Sequence, residues 1–281
     1  MVSAMSLWEF LKVVCLGFVE GITEWLPVSS TGHLILFDKL LRLDVSEEFW
    51  NMFLVVIQLG AILAVVYLYF DKLNLFSGRK SYSEKRASAS LWGKVIVACL
   101  PAGILGVLFD DWMDAHLRGS GVVAWALIIY GVFFIVLEKY NAHRDFRVQA
   151  LEEISYPLAF GIGCFQVLSL VPGTSRSGST ILGAMLLGVN RRDAAEFSFF
   201  LAIPVMFGAS FLKLVKFGLV MSRTDLLILL TGMLVSFIVS VLAIKFLMAY
   251  IKGHDFQVFG WYRIFIGAVV LLAGFLGLLS E

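Results

Sequence analysis

The chain has 281 residues, 60% of them hydrophobic and only 15% charged, with a mean hydropathy of +0.90. A soluble domain carries about 45–50% apolar and about 25% charged residues. This chain therefore lacks the polar groups to cover a water-facing surface, and both a soluble globular protein and a disordered one are excluded. Its net charge of +1 offers no basic excess for nucleic acid. Cys15, Cys99 and Cys164 lie in apolar runs without metal-ligand spacing, so they read as small core residues and indicate neither a disulfide framework nor a zinc site.

The first element, 7–43, is only semi-apolar. It holds Glu20, Glu24 and His33 around a cluster of proline, hydroxyls and glycine at 26–32. It does not read as a signal peptide, because its first basic residue is Lys12 and the two glutamates interrupt the apolar run. A charge-free span of 22 residues follows at 49–70, enough to cross a hydrocarbon core of about 30 Å. A polar loop, 71–90, separates it from spans at 95–109 and 119–137. A second semi-apolar element, 154–190, contains Val171-Pro172-Gly173-Thr174-Ser175-Arg176-Ser177-Gly178, and spans at 197–212, 226–244 and 264–279 complete the chain. Broken helices persist at membrane depth only when buried in protein or lining a wet cavity. The expected fold is an all-α polytopic membrane protein, with six transmembrane helices plus two re-entrant helix-turn-helix hairpins in one membrane domain, 1–281. A single kinked span is the simpler alternative for each hairpin.

Loop 71–90 carries Lys72, Arg79, Lys80, Lys85 and Arg86, whereas loop 110–118 carries Asp110, Asp111 and Asp114 against Arg118. The positive-inside rule puts the first in the cytoplasm and the second outside, so the first broken segment opens outward. Lys213, Lys216 and Arg223 fit that orientation poorly.

The two broken segments can be superposed. Gly17-Phe18-Val19-Glu20 matches Gly163-Cys164-Phe165-Gln166, and Pro27-Val28-Ser29-Ser30 matches Pro172-Gly173-Thr174-Ser175. Glu48-Phe49 matches Glu196-Phe197, and Gly60-Ala61 matches Gly208-Ala209, all at offsets of 145–148. Repeats of 1–145 and 146–281, each with a hairpin and three spans, are inverted by the odd number of crossings. Paired interrupted segments in such repeats point to the binding site.

Helices beginning at these turns, 34–41 and 181–189, aim free N–H groups and a positive dipole end at whatever lies there, and phosphate is the natural guest. Ser29, Ser30 and Thr31 in one loop and Thr174, Ser175 and Ser177 in the other add hydroxyl donors. Arg176 adds a planar fork suited to a phosphoryl group. Glu20 and Glu24 share a helix face at i, i+4. Acidic groups in a membrane segment cost about +2.5–3.5 kcal/mol each on insertion scales and mark function. Together they suit a divalent cation, or one serves as a protonated acid. His33 follows Ser30 at i+3, a spacing compatible with a serine nucleophile and its base. Gln58, mid-span, lines the cavity or bonds between helices. Glu20, Glu24, Ser30, His33 and Arg176 are the expected catalytic set. A lipid-phosphate transporter with the same anion site is the rival reading.

The stretch Glu20-Gly-Ile-Thr-Glu24-Trp-Leu-Pro-Val-Ser-Ser-Thr-Gly-His33, with Pro172-Gly-Thr-Ser-Arg176-Ser-Gly-Ser-Thr180, resembles the signature pair of the undecaprenyl pyrophosphate phosphatase family of bacitracin-resistance type. The likeness covers essentially the whole chain, with no departure at a motif position. It implies a hydrolase of the bacterial cytoplasmic (inner) membrane that converts undecaprenyl pyrophosphate to undecaprenyl phosphate. Such an enzyme recycles the carrier lipid of cell-wall synthesis and confers bacitracin resistance. The resemblance further implies six spans with two re-entrant hairpins in inverted repeats, and an active site opening to the outer (periplasmic) face. Glu20, Glu24, Ser30, His33, Arg176 and Thr180 would be the functional residues. A magnesium or calcium ion, held at Glu20 and Glu24 or arriving with the substrate, would be the cofactor, and the lipid substrate and the bilayer the partners. A serine or a water nucleophile, and a homodimer, remain open.

Overall fold

A computed structural model describes residues 6–117, 119–218 and 221–279, apart from the side chains of 38–40, 110, 111 and 114. Among them eleven α-helices follow one another without a strand: α1 (Leu7–Thr23), α2 (Ser30–Leu41), α3 (Glu47–Leu68), the single turn α4 (Phe70–Leu73), α5 (Tyr82–Leu117), α6 (Ser120–Asn141), α7 (Tyr156–Val167), α8 (Arg176–Leu186), α9 (Arg191–Phe217), α10 (Arg223–Tyr250) and α11 (Gln257–Phe275). Six are long and apolar enough to cross a membrane: α3, the Tyr82–Phe109 part of α5, α6, α9, α10 and α11. They coincide with the six expected spans. Side chains such as Leu63, Val107, Phe133, Phe207, Leu234 and Phe265 point outward, as lipid-facing residues do.

Two stretches expected as loops are partly helical. The 71–90 loop shrinks, because α4 extends to Leu73 and α5 begins at Tyr82. Ser81 acts there as a capping residue, its hydroxyl accepting from the Glu84 N–H while Glu84 accepts from the Ser81 N–H. The acidic stretch 110–117 is the last part of α5, and Arg118 lies outside the described residues. The cysteines also depart from expectation. Cys15 and Cys164 are exposed and Cys99 half-buried, so an apolar surround made two lipid-side residues look like core.

Short helices replace spans wherever the sequence breaks them. Pro27 stops the chain from continuing α1, and Pro172 with Gly173 does the same after α7. The ends of the short pairs are tied down. The Lys12 ammonium donates to the Arg42 carbonyl at 2.6 Å, holding the start of α1 near the end of α2. Val148 and Val189 form an isolated bridge, and Arg144 donates to the Leu186 carbonyl at 3.3 Å, holding the segment that leads from α6 to α7 against the end of α8.

The helix packing has an internal symmetry. α1 lies against α10 and α7 against α5; α3 packs on α9, and α6 on α11. At the end of the bundle where α6 finishes, buried Glu138 accepts from Arg191 Nε (2.9 Å) and Nη2 (2.5 Å) and from the Phe256 N–H (2.9 Å). One carboxylate thus ties α6, α9 and the entry to α11. A large core around Trp25, Phe197, Phe199 and Phe200 surrounds the tips of the short helices.

Gly60 fixes the closest helix contact, since a Cβ there would stand 2.1 Å from the Met233 carbonyl oxygen on α10. Its sequence counterpart, Gly208, has nothing within 4 Å. Gly60→Ala should therefore destabilise the detergent-purified protein by about 1–3 kcal/mol. Gly208→Ala should be neutral or slightly stabilising, since alanine is the better helix former. Thermal unfolding of the two variants checks the contrast.

Candidate active site

The tips of the two helical hairpins meet. Ser29 and Ser175 cap α2 and α8, and each has a positive φ, 70° and 72°. Such values cost a non-glycine residue about 1–3 kcal/mol and persist only where the surroundings impose them. Each serine hydroxyl accepts from the N–H three residues on, Gly32 at 3.5 Å and Gly178 at 3.2 Å. The two turns are thus copies of one another, in a register one residue from the sequence match: Ser29, not Ser30, is the counterpart of Ser175, and Ser30 is the counterpart of Arg176. Gly173 has φ 90°, and a Cβ on it would stand 2.5 Å from the Val123 carbonyl oxygen, so only glycine fits between the second loop and α6.

Arg176 links the halves. Its Nη2 donates to Glu24 Oε1 at 3.0 Å and its Nη1 to the Ser198 carbonyl at 2.7 Å, with the guanidinium carbon 5.9 Å from the Trp25 ring centre. Trp25 is held in turn by an edge contact with Phe199 at 5.3 Å. The Ser177 hydroxyl donates to the Glu24 carbonyl at 3.0 Å and lies 3.1 Å from the Ser175 hydroxyl. The Thr180 hydroxyl donates to the Arg176 carbonyl at 2.8 Å and meets the Ser198 hydroxyl at 2.7 Å. Glu20 stands beside Glu24, fully buried, and neither of its oxygens has a hydrogen-bond partner.

Ser30 is the first residue of α2, directly after the Ser29 cap. It also lines, with Thr31 and Gln58, a cavity of about 380 Å³ walled by Leu16, Leu34, Trp50 and Leu279. Gln58 therefore lines the cavity, one of its two expected roles. His33 turns elsewhere. Its Nδ1 donates to the Ser29 carbonyl at 2.7 Å, which leaves Nε2 to accept from the Tyr262 hydroxyl at 2.7 Å. The rings stack at 5.6 Å, at the edge of a separate, largely apolar cavity of about 390 Å³. The i, i+3 spacing to Ser30 does not become a serine–histidine hydrogen bond here, because both ring nitrogens are already engaged.

Unsatisfied polarity concentrates at this place. Both Glu20 oxygens, Trp25 Nε1, both ends of the Gln166 amide, Thr174 Oγ1 and Arg176 Nε are buried without partners. Native interiors rarely tolerate such groups without a reason, and a cluster of them calls for a polar guest. Glu20 and Gln166, aligned with each other in the sequence, are both wholly buried. In total, the structure brings Glu20, Glu24, Ser29, Ser30, Gly173, Thr174, Ser175, Arg176, Ser177 and Thr180 to one place.

Four further residues contribute: Trp25, Ser198 and Tyr262, and Arg263, whose terminal nitrogens donate to main-chain carbonyls of both loops. Arg263 had a signal that was available. It is a lone charge in an apolar helix, and placing the start of the last span at 264 put it just outside. Trp25 lies inside the first motif with nothing to mark it. Ser198 contributes a main-chain carbonyl, and Tyr262 is one aromatic among many.

Residues 13–269 match the family model described as "Bacitracin resistance protein BacA". An undecaprenyl-diphosphatase of Desulfitobacterium hafniense is 57% identical over 95% of this chain and 97% of its own length. One from Enterococcus faecalis is 58% identical over 96% and 98%, and one from Acetivibrio thermocellus is 56% identical over 94% and 97%. With the motif residues converging at the hairpin tips and the match running almost end to end, the chain belongs to the bacitracin resistance protein BacA family.

Proposed function

We propose that the protein is an undecaprenyl-diphosphatase, hydrolysing undecaprenyl pyrophosphate to undecaprenyl phosphate and inorganic phosphate and so recycling the carrier lipid of cell-wall synthesis. One observation carries the reading. Arg176 of the second loop donates to Glu24 of the first at 3.0 Å, beside buried Glu20 and between the turns capped by Ser29 and Ser175, so a phosphate-binding cation, two carboxylates and hydroxyls come together from two loops that each begin a helix. The name and near-complete coverage of the relatives agree with it.

The substrate's diphosphate enters between the two helix N-termini. Arg176, with its Nε still free, and the hydroxyls of Ser175 and Ser177 hold it. In the serine route, the Ser30 oxygen forms a bond to the terminal phosphorus as the bridging P–O bond breaks. The hydroxyl proton passes to Glu24, and undecaprenyl phosphate leaves with the bridging electron pair. Water then hydrolyses the phosphoserine, releasing inorganic phosphate and restoring Ser30. In the water route Glu24 takes the proton of the attacking water directly. We assign Glu24 as the base because Arg176 holds it where the two loops meet. His33, engaged by Ser29 and Tyr262, braces the first loop. Positioning and charge neutralisation do most of the work in phosphoryl transfer.

Glu20 and Glu24 fit a magnesium or calcium ion. Two buried carboxylates, one without any donor, together with phosphate oxygens match the way such ions are usually held. When bound, the ion neutralises charge on the diphosphate.

The protein is a multi-pass membrane protein of six spans, and we place it in the bacterial cytoplasmic membrane as one domain of two inverted repeats, 1–145 and 146–281. The paired packing of α1 on α10 and α7 on α5, the two positive-φ serines and the tethered ends of both hairpins support re-entrant hairpins entering from opposite faces. The Ser30 cavity is rimmed by Trp50, near the start of α3, and by Leu279, beyond α11. Basic residues such as Lys72, Lys80, Arg144 and Arg191 gather at the opposite end, and this supports a site open to the outer face. A transporter would need the anion site but not the serine–carboxylate pair, so cleavage is the better account.

Purified protein should release inorganic phosphate from the lipid pyrophosphate; lipid movement without any release would establish the transporter instead. Arg176→Lys keeps the charge but loses the fork, and kcat/KM should fall about 10²-fold. A normal rate in steady-state assays would remove Arg176 from the site. Ser30→Ala should lower kcat about 10³-fold or more if serine attacks; substantial residual turnover would establish the water route. Chelator-treated protein should lose activity and regain it with magnesium or calcium, whereas Glu20→Gln should demand more of the ion for half-maximal rate.

A further inference from the structure

Arg263, on α11, is wholly buried, and its acceptors are main-chain carbonyls of both loops. Nη1 donates to Pro27 O at 3.1 Å, and Nη2 donates to Gly173 O and Thr174 O, each at 2.9 Å. The guanidinium carbon lies 5.7 Å from the Tyr130 ring centre. A full charge is thus kept at membrane depth, where it is costly, and is committed to backbone instead of to a carboxylate.

The three carbonyls are close to the strained turns. Pro27 lies two residues before Ser29, and Gly173 and Thr174 lie immediately before Ser175, the two non-glycine residues with positive φ. In a trans peptide the C=O and the following N–H point in opposite directions. Drawing the Thr174 carbonyl toward Arg263 therefore turns the Ser175 N–H the other way, and the same guanidinium fixes where the first loop stands. We propose that Arg263 is the positioning residue of the site. It sets the two loops against each other so that a phosphoryl group held at Arg176 is in line with Ser30. This rests on the phosphatase reading given above. Arg263 acts through the two loops, because both of its terminal nitrogens donate to their carbonyls and only Nε is without a partner. A planar fork reaches acceptors in both; a lysine ammonium, a single point, cannot keep all of them.

The test compares wild type, Arg263→Lys and Arg263→Gln, each purified in detergent and checked for monodispersity and thermal unfolding, with kcat and KM measured on the lipid pyrophosphate. A misplacement of about 1 Å at a reacting centre can cost about 10²-fold in rate. In samples that stay monodisperse, kcat should fall by about that factor, further in the glutamine variant than in the lysine one. KM should change less than about threefold, because Arg176 still holds the phosphates. A fold-only role would lower the folded fraction and could not reduce a monodisperse sample a hundredfold. Wild-type kcat in either folded variant overturns the proposal while leaving the phosphatase reading intact, and so does a loss confined to KM. Failure of both variants to fold also overturns it, making Arg263 a support of the fold alone. Wild-type protein that releases no phosphate brings down the phosphatase reading and this one with it.

Discussion

Arg176 reaches from the second loop to Glu24 of the first across 3.0 Å, and the rest of the site is arranged around that contact. The two side chains are 152 residues apart in sequence and buried, so the pair has to repay the removal of both charges from water. An ion pair alone often fails to do this. Here the guanidinium also donates to the Ser198 carbonyl and lies near the Trp25 ring, and Ser177 donates to the backbone of Glu24 itself. The second half of the chain therefore holds the first by both its side chain and its main chain. Neither loop has a formed site without the other.

This dependence explains the order of parts along the chain. Each loop is short and strained, with a positive-φ serine that persists only where the surroundings impose it. The long helices supply those surroundings: α10 covers α1, α5 covers α7, and the α6–α11 pair closes the side where Arg263 and Tyr262 enter. The ion pair of Arg191 with Glu138 and that of Lys72 with Glu196 fasten one end of the bundle to α9. That helix also presents Ser198 to Arg176.

Much of this was legible in the sequence, and the reasons differ by residue. The six spans follow from charge-free length, a property of composition that tertiary packing does not overrule. The hairpin tips were marked by Pro27, Pro172 and Gly173, because those residues act locally on the backbone. The exact partnership of side chains was not legible. His33 stands three residues from Ser30, yet it turns to Tyr262, more than two hundred residues away, a contact that no local spacing encodes. The repeat register was off by one at the loops because side-chain identity there matched Ser30 to Ser175, whereas backbone conformation matches Ser29. Arg263 escaped because one arginine at the edge of an apolar run reads as a boundary until its three carbonyls are seen.

The unpartnered polar atoms around Arg176 have a consequence for the turnover cycle. The donors at Gln166, Thr174 and Arg176 Nε are buried without a protein partner, so an acceptor that supplies one stabilises the fold by its own binding free energy. Inorganic phosphate offers the same oxygens as the reactive end of the lipid. On the phosphatase reading, a site that recognises its guest by phosphoryl oxygens holds the departing phosphate by the same contacts, so product release works against the binding that admitted the substrate.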